Sequence, residues 1–189
     1  MFTKRICCVL AMLALTLTIG AGAADDQPVV KNIKAVNWEE LAGCLPDKVE
    51  GLHAGEIDGG TITMADPTNP QTQMSYSAAN RTYYKGKDED DGITLTILDS
   101  NLYQFLLMPF MMAIEIDTPN GSVKSTKLGD FPSKVIIEKD DGEITGVTCL
   151  VLISERILVS AEGDDSVSQD DVESLIKKVD FEKLASLVK

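Results

Sequence analysis

The chain has 189 residues, 44% of them hydrophobic and 25% charged, which suits one folded domain with a worthwhile core. Thirty acidic residues against 17 basic ones leave a net charge of −13. Such a chain is repelled by nucleic acid and by anionic membrane surfaces, so both are set aside as partners.

Residues 1–23 read as an export signal. Lys4 and Arg5 supply the charged start, residues 6–19 the apolar run, and Ala21-Gly22-Ala23 the small-residue cleavage site. The run is too short to span a bilayer, and no basic stop follows it. Cleavage after Ala23 or Ala24 removes Lys4 and Arg5 and no acid, leaving 15 bases against 30 acids, or −15. The sequence does not choose between those two bonds. A soluble protein of the periplasm or the exterior is expected, with no transmembrane segment once the signal is gone. Leu41-Ala42-Gly43-Cys44 spells a lipidation box, but it follows Asn37-Trp38-Glu39-Glu40 rather than the apolar run. It is therefore read as part of a helix, not as a lipoprotein signal.

Residues 24–36, with Pro28, form a flexible lead, and residues 37–189 the single domain. Residues 37–45 read as a helix capped by Asn37, with Glu40 three residues on and Pro46 past its end. Trp38, Leu41, Ala42 and Leu45 share one face and should pack on a sheet. The glycine-rich residues 49–60 read as irregular, and residues 61–64 as the start of a strand. A polar loop over residues 65–73 precedes a strand over 74–84, then a charged turn ending at Asp91-Gly92, then a branched strand over 93–98.

Residues 101–114, NLYQFLLMPFMMAI, read as a helix capped by Asp99 or Ser100 and apolar nearly all round. Such a helix is buried or meets a partner, so Leu102, Phe105, Leu106, Met108, Phe110, Met111 and Met112 form a candidate interaction surface. Pro119-Asn120-Gly121 marks a turn, and residues 122–127 an outer strand.

The stretch 134–163 reads as three antiparallel strands reversed at Asp140-Asp141-Gly142 and at Ser154-Glu155. Residues 148–153 are apolar at nearly every position, the mark of a strand covered on both faces. Ser168 caps a further helix whose Val172, Leu175, Ile176 and Val179 recur at helical spacing, and Asp180 caps a last turn. The expected fold class is α+β, a twisted antiparallel sheet packed against helices as an α/β sandwich.

In the last third, Gly129, Phe131 and Pro132, a strand pair, Arg156 opening a strand, Glu162-Gly163 and a terminal amphipathic helix stand in a familiar order. This order resembles a family of small, uncharacterised exported bacterial proteins with a PsbP-like α+β layout. Ile157 stands where that pattern has an aromatic. The resemblance implies a layout and carries over no functional residue.

Cys7 and Cys8 leave with the signal, so Cys44 and Cys149 can make one bridge at most, and spacing leaves open whether they do. His53 is the sole histidine, and with Cys44 it forms a thin metal-ligand set against the alternative of an exposed loop residue. Met108, Met111 and Met112, with Met64 and Met74, suit either soft-metal binding or core filling. Aligning Gly92 with the glycine of a calcium loop puts Lys87 at the first ligand and Leu98 at the last, so that pattern fails. No nucleophile motif, phosphate loop or cofactor signature is present, and no cofactor is expected. The preferred reading is a non-enzymatic exported binding, assembly or self-associating protein of the bacterial envelope, partnered by a second copy or an envelope protein. A periplasmic copper or zinc handler and a histidine-dependent hydrolase stand as alternatives.

Overall fold

Strong strand-formers broken by two-residue reversals dominate the chain, and the computed structural model resolves them into one sheet. The structure describes residues 34–65, 73–86, 92–100, 110 and 112–188. Eight strands are β1 (His53–Ala65), β2 (Gln73–Tyr84), β3 (Gly92–Ser100), β4 (Glu115–Thr118), β5 (Gly121–Leu128), β6 (Phe131–Asp140), β7 (Glu143–Ile153) and β8 (Ile157–Asp164). They lie in the order β1-β2-β3-β8-β7-β6-β5-β4, with every neighbour antiparallel. Two meanders, β1–β3 and β4–β8, therefore meet at a single seam between β3 and β8.

The expected reversals are where the strands turn. At β6–β7, Asp141 and Gly142 take φ values of 49° and 88°, and at β7–β8, Ser154 and Glu155 take 50° and 55°. Left-handed backbone at both central residues defines the hairpin turn that matches strand twist. Gly142 adopts it freely, whereas Ser154 and Glu155 are held there by the strands they join.

The helices are short: α1 (Trp38–Ala42), α2 (Gln169–Ile176) and α3 (Phe181–Leu187). Their caps are the expected ones. The Asn37 side chain accepts from the Glu39 amide, Ser168 forms a capping box with Asp171, and Asp180 accepts from the Lys183 amide.

The α+β sandwich is overturned. Strand accounts for 57% of the described residues and helix for 16%, so among those residues the fold is one large antiparallel sheet with three short helices. Part of the reason lies in residues 49–60, whose glycines read as irregular but belong largely to β1. A Cβ on Gly59 would lie 2.6 Å from the Trp38 ring and 2.6 Å from the Ala78 carbonyl oxygen. The glycine is there so that Trp38 can lie against the strand, not to break it. The helix expected over residues 101–114 falls almost wholly outside the described residues.

Alternation places the core. Ile93, Leu95 and Ile97 are buried on the face of β3 that meets Ala79 and Tyr83 of β2, and Val159 and Ala161 of β8. Leu41, Val172, Leu175, Ile176 and Leu184 of the helices close that face. In β7, every residue from Val147 to Ile153 is buried, as the continuous apolar run predicts.

Candidate functional site

Two polar constellations stand out, and the first is structural. Asp99, at the inward position of β3 after Ile93, Leu95 and Ile97, is fully buried. Arg156 donates to it twice, Nε to Oδ1 and Nη2 to Oδ2, each at 2.7 Å. The Val36 amide donates to the same Oδ2 at 2.7 Å, and Arg156 Nη2 also reaches the Lys34 carbonyl at 2.8 Å. Alongside, the Ala35 amide donates to Ser75 Oγ at 2.7 Å. Ala35 and Val36, assigned by sequence to the lead, are thus buried and held. Both Asp99 carboxylate oxygens serve this clamp, and the helix expected after it lies outside the described residues. Each charge meets its complement, which leaves none free for chemistry.

The second constellation is a cavity of about 380 Å³ between the sheet and α2. Cross-strand register builds its floor. Lys124 of β5 lies opposite Val135 of β6, which lies opposite Cys149 of β7; the next row is Thr126, Ser133 and Val151. Gln169, Glu173, Ile176 and Lys177 line the side formed by α2 and the residue after it. Lys127 and Lys134 also border the space, but they alternate with Thr126 and Ser133 and belong to the opposite face. The Lys134 ammonium lies 5.7 Å from the centre of the Phe110 ring, and burial lowers its pKa.

Ser133 is the unusual member. It is only 7% exposed, and its Oγ has no hydrogen-bond partner among the described residues. Buried hydroxyls in folded proteins are nearly always paired. Beside it, Cys149 is kept a neutral thiol, its pKa pushed up to about 12 by burial and the nearby Glu173 carboxylate. The Glu173 carboxylate is engaged: Gln169 Nε2 donates to it at 2.7 Å and Lys177 Nζ at 3.4 Å, and both hold its pKa down.

The histidine does not reach either side chain. His53 is exposed on β1, and five strand spacings separate β1 from β6, about 24 Å at ~4.8 Å each. A histidine-dependent hydrolysis at Ser133 is thus not assembled here.

The metal candidates are not brought together either. Cys44 is buried behind α1, its thiol donating to the Glu40 carbonyl at 3.5 Å and its pKa raised by burial. Among the described residues no three His, Cys, Asp or Glu side chains form a group able to hold a metal. Cys44 and Cys149 are both free. Cys44 lies near Lys183 and Asp180 around α3, and Cys149 near Glu173 and Lys177 of the α2 region. Of the proposed contact surface, Leu102, Phe105, Leu106, Met108 and Met111 lie outside the described residues. Phe110 is half-buried against Lys134, and Met112 is 62% exposed.

Sequence reasoning missed Ser133, Lys124 and the Asp99–Arg156 pair. The pair did leave a signal, since Asp99 continues the inward parity of an otherwise apolar strand. Ser133 left none.

No protein-family model matches the chain, and no curated protein or solved structure is significantly similar to it. Among the described residues no helix is long and apolar enough to cross a membrane.

Proposed function

We propose that this chain is a non-enzymatic exported protein that binds a small ligand in the cavity between α2 and strands β5–β7. One observation carries the reading: an unpartnered, buried Ser133 hydroxyl on the wall of a ligand-sized space. Ligand sites are mostly apolar hollows with a few placed polar groups, of about 300–1,000 Å³. Val135, Ile137, Val151 and Ile176 supply the apolar lining here. The neutral Cys149 and the engaged Glu173 favour holding a molecule over transforming it. Placement in the bacterial envelope belongs to the same proposal and rests on residues 1–23.

Native mass spectrometry of gently purified protein tests this. A small-molecule adduct should be present, be lost on denaturation, and be lost when Val151→Trp fills the cavity. Protein that carries no adduct and is stabilised by no member of a metabolite library in thermal-shift measurements would overturn the reading.

A second reading, self-association, is favoured by β1. At 13 residues it is long, it forms the sheet edge among the described residues, and Ile57, Ile62 and Met64 are each more than a third exposed. Long open edges invite pairing with another chain. Light scattering would show a mass that rises with concentration and falls back in Ile62→Lys.

A further inference from the structure

Charge around the cavity runs against the rest of the molecule. In a chain of 30 acids and 17 bases, the cavity is bordered by one acid, Glu173, already occupied by Gln169 and Lys177. Lys124 stands exposed on the cavity side of β5; Glu115 of β4 lies directly opposite it in register, but no hydrogen bond or ion pair within 4 Å engages the ammonium among the described residues. It sits diagonally across from Ser133, while Thr126 lies directly opposite it. Diagonal Cβ atoms are about 7–8 Å apart on a sheet, within reach of a lysine side chain and an intervening ligand group. One end of the cavity thus offers two hydroxyls and an ammonium in one small area. Val135, Ile137, Val151 and Ile176 give the remainder an apolar surface.

Resting on the binding reading above, we propose that the ligand is a small amphipathic carboxylate. Its head accepts from Ser133 and Thr126 and pairs with Lys124, and its hydrocarbon body lies along Val135, Val151 and Ile176. Lys124, the unpaired ammonium on the cavity face of the sheet, neutralises one negative charge, which suits a carboxylate better than a doubly charged phosphate. The neighbouring hollow, bordered by Asp130, Asp180 and Glu182, repels the head and fixes its direction. A cationic head would meet Lys124 and Lys177 with only an occupied Glu173 to offset them.

Calorimetric titration of the full chain, freed of any bound molecule, with octanoate, octanol and octylammonium separates the possibilities. Octanoate should bind at least tenfold tighter than the other two. Lys124→Glu, at the exposed mouth, should abolish that preference, and Ser133→Ala should weaken octanoate severalfold while leaving octanol unchanged. Lys48→Glu, which changes net charge equally but lies in an exposed loop, should bind octanoate as the parent does. Equal binding of all three amphiphiles would overturn the carboxylate assignment and leave the binding reading standing. Binding of none would also overturn it, and the native mass spectrum then decides whether the broader reading falls too.

Discussion

Asp99 shows how one side chain can fix the geometry of several segments. It is fully buried, and its charge is tolerable only because Arg156 meets both carboxylate oxygens and the Val36 amide adds a second donor to Oδ2. Removing the partner is therefore worse than removing both. Arg156→Ala should cost about 3–5 kcal/mol, the penalty for a stranded buried carboxylate. Arg156→Lys should recover only part of it, since an ammonium cannot supply the two-pronged contact. Urea unfolding measures both, and a loss under ~1 kcal/mol for Arg156→Ala would mean the pair is not what holds residues 34–36. Cys149 gives a second residue-scale prediction. Folding lifts its pKa from 9.0 to about 12, so the folded thiol holds its proton more tightly than the unfolded one. The stability this brings is whole below about pH 9 and is lost as pH climbs toward 12, at up to ~1.4 kcal/mol per pH unit. Tyr83, raised to about 12 by burial, loses stability over the upper part of the same window. Cys149→Ala should therefore show a shallower alkaline decline than the parent in urea midpoints taken between pH 8 and 11. An unchanged slope would deny the burial.

Among the elements, what could be read beforehand was local chemistry. Asn37, Ser168 and Asp180 mark helix starts because a short polar side chain before an apolar period satisfies a free amide. Asp141-Gly142 marks a reversal because it accepts left-handed backbone. What escaped was whatever another element imposes. Gly55, Gly59 and Gly60 look like a loop until Trp38 is laid over Gly59. The cavity escaped for the same reason: Lys124, Ser133 and Val151 come from three strands, and only their register makes them neighbours. Gly59→Ala tests the close approach. With 2.6 Å available on two sides, the ring or the strand must move, at a cost of about 1–3 kcal/mol. The chain's only tryptophan reports the shift as a red-moved emission maximum in the folded variant. Emission and stability matching the parent would mean that Trp38 does not rest on this glycine.

At the scale of the whole molecule, strand order was the least accessible feature. The hairpins join sequence neighbours, but the β3–β8 pairing joins Ile93 to Gly163 and Asp99 to Ile157, and no local signal announces it. The two-sided apolar run in β7 correctly marked the middle of something covered on both faces, without saying what lay beside it. Amide exchange should reflect that order. Residues of β3, β8 and the 147–153 run of β7 should exchange at the rate of global unfolding, and the outward half of β1 orders of magnitude faster. Fast exchange at residues 147–153 would sink the sheet as described. The lone seam between the two meanders has a further consequence. Residues 34–100 and 112–188 each contain one complete meander, so the protein can be divided there into two chains that dock along β3 and β8. Asp99 lies on one fragment and Arg156 on the other, so the clamp becomes the lock of a reassembling pair, and mutating either half releases it.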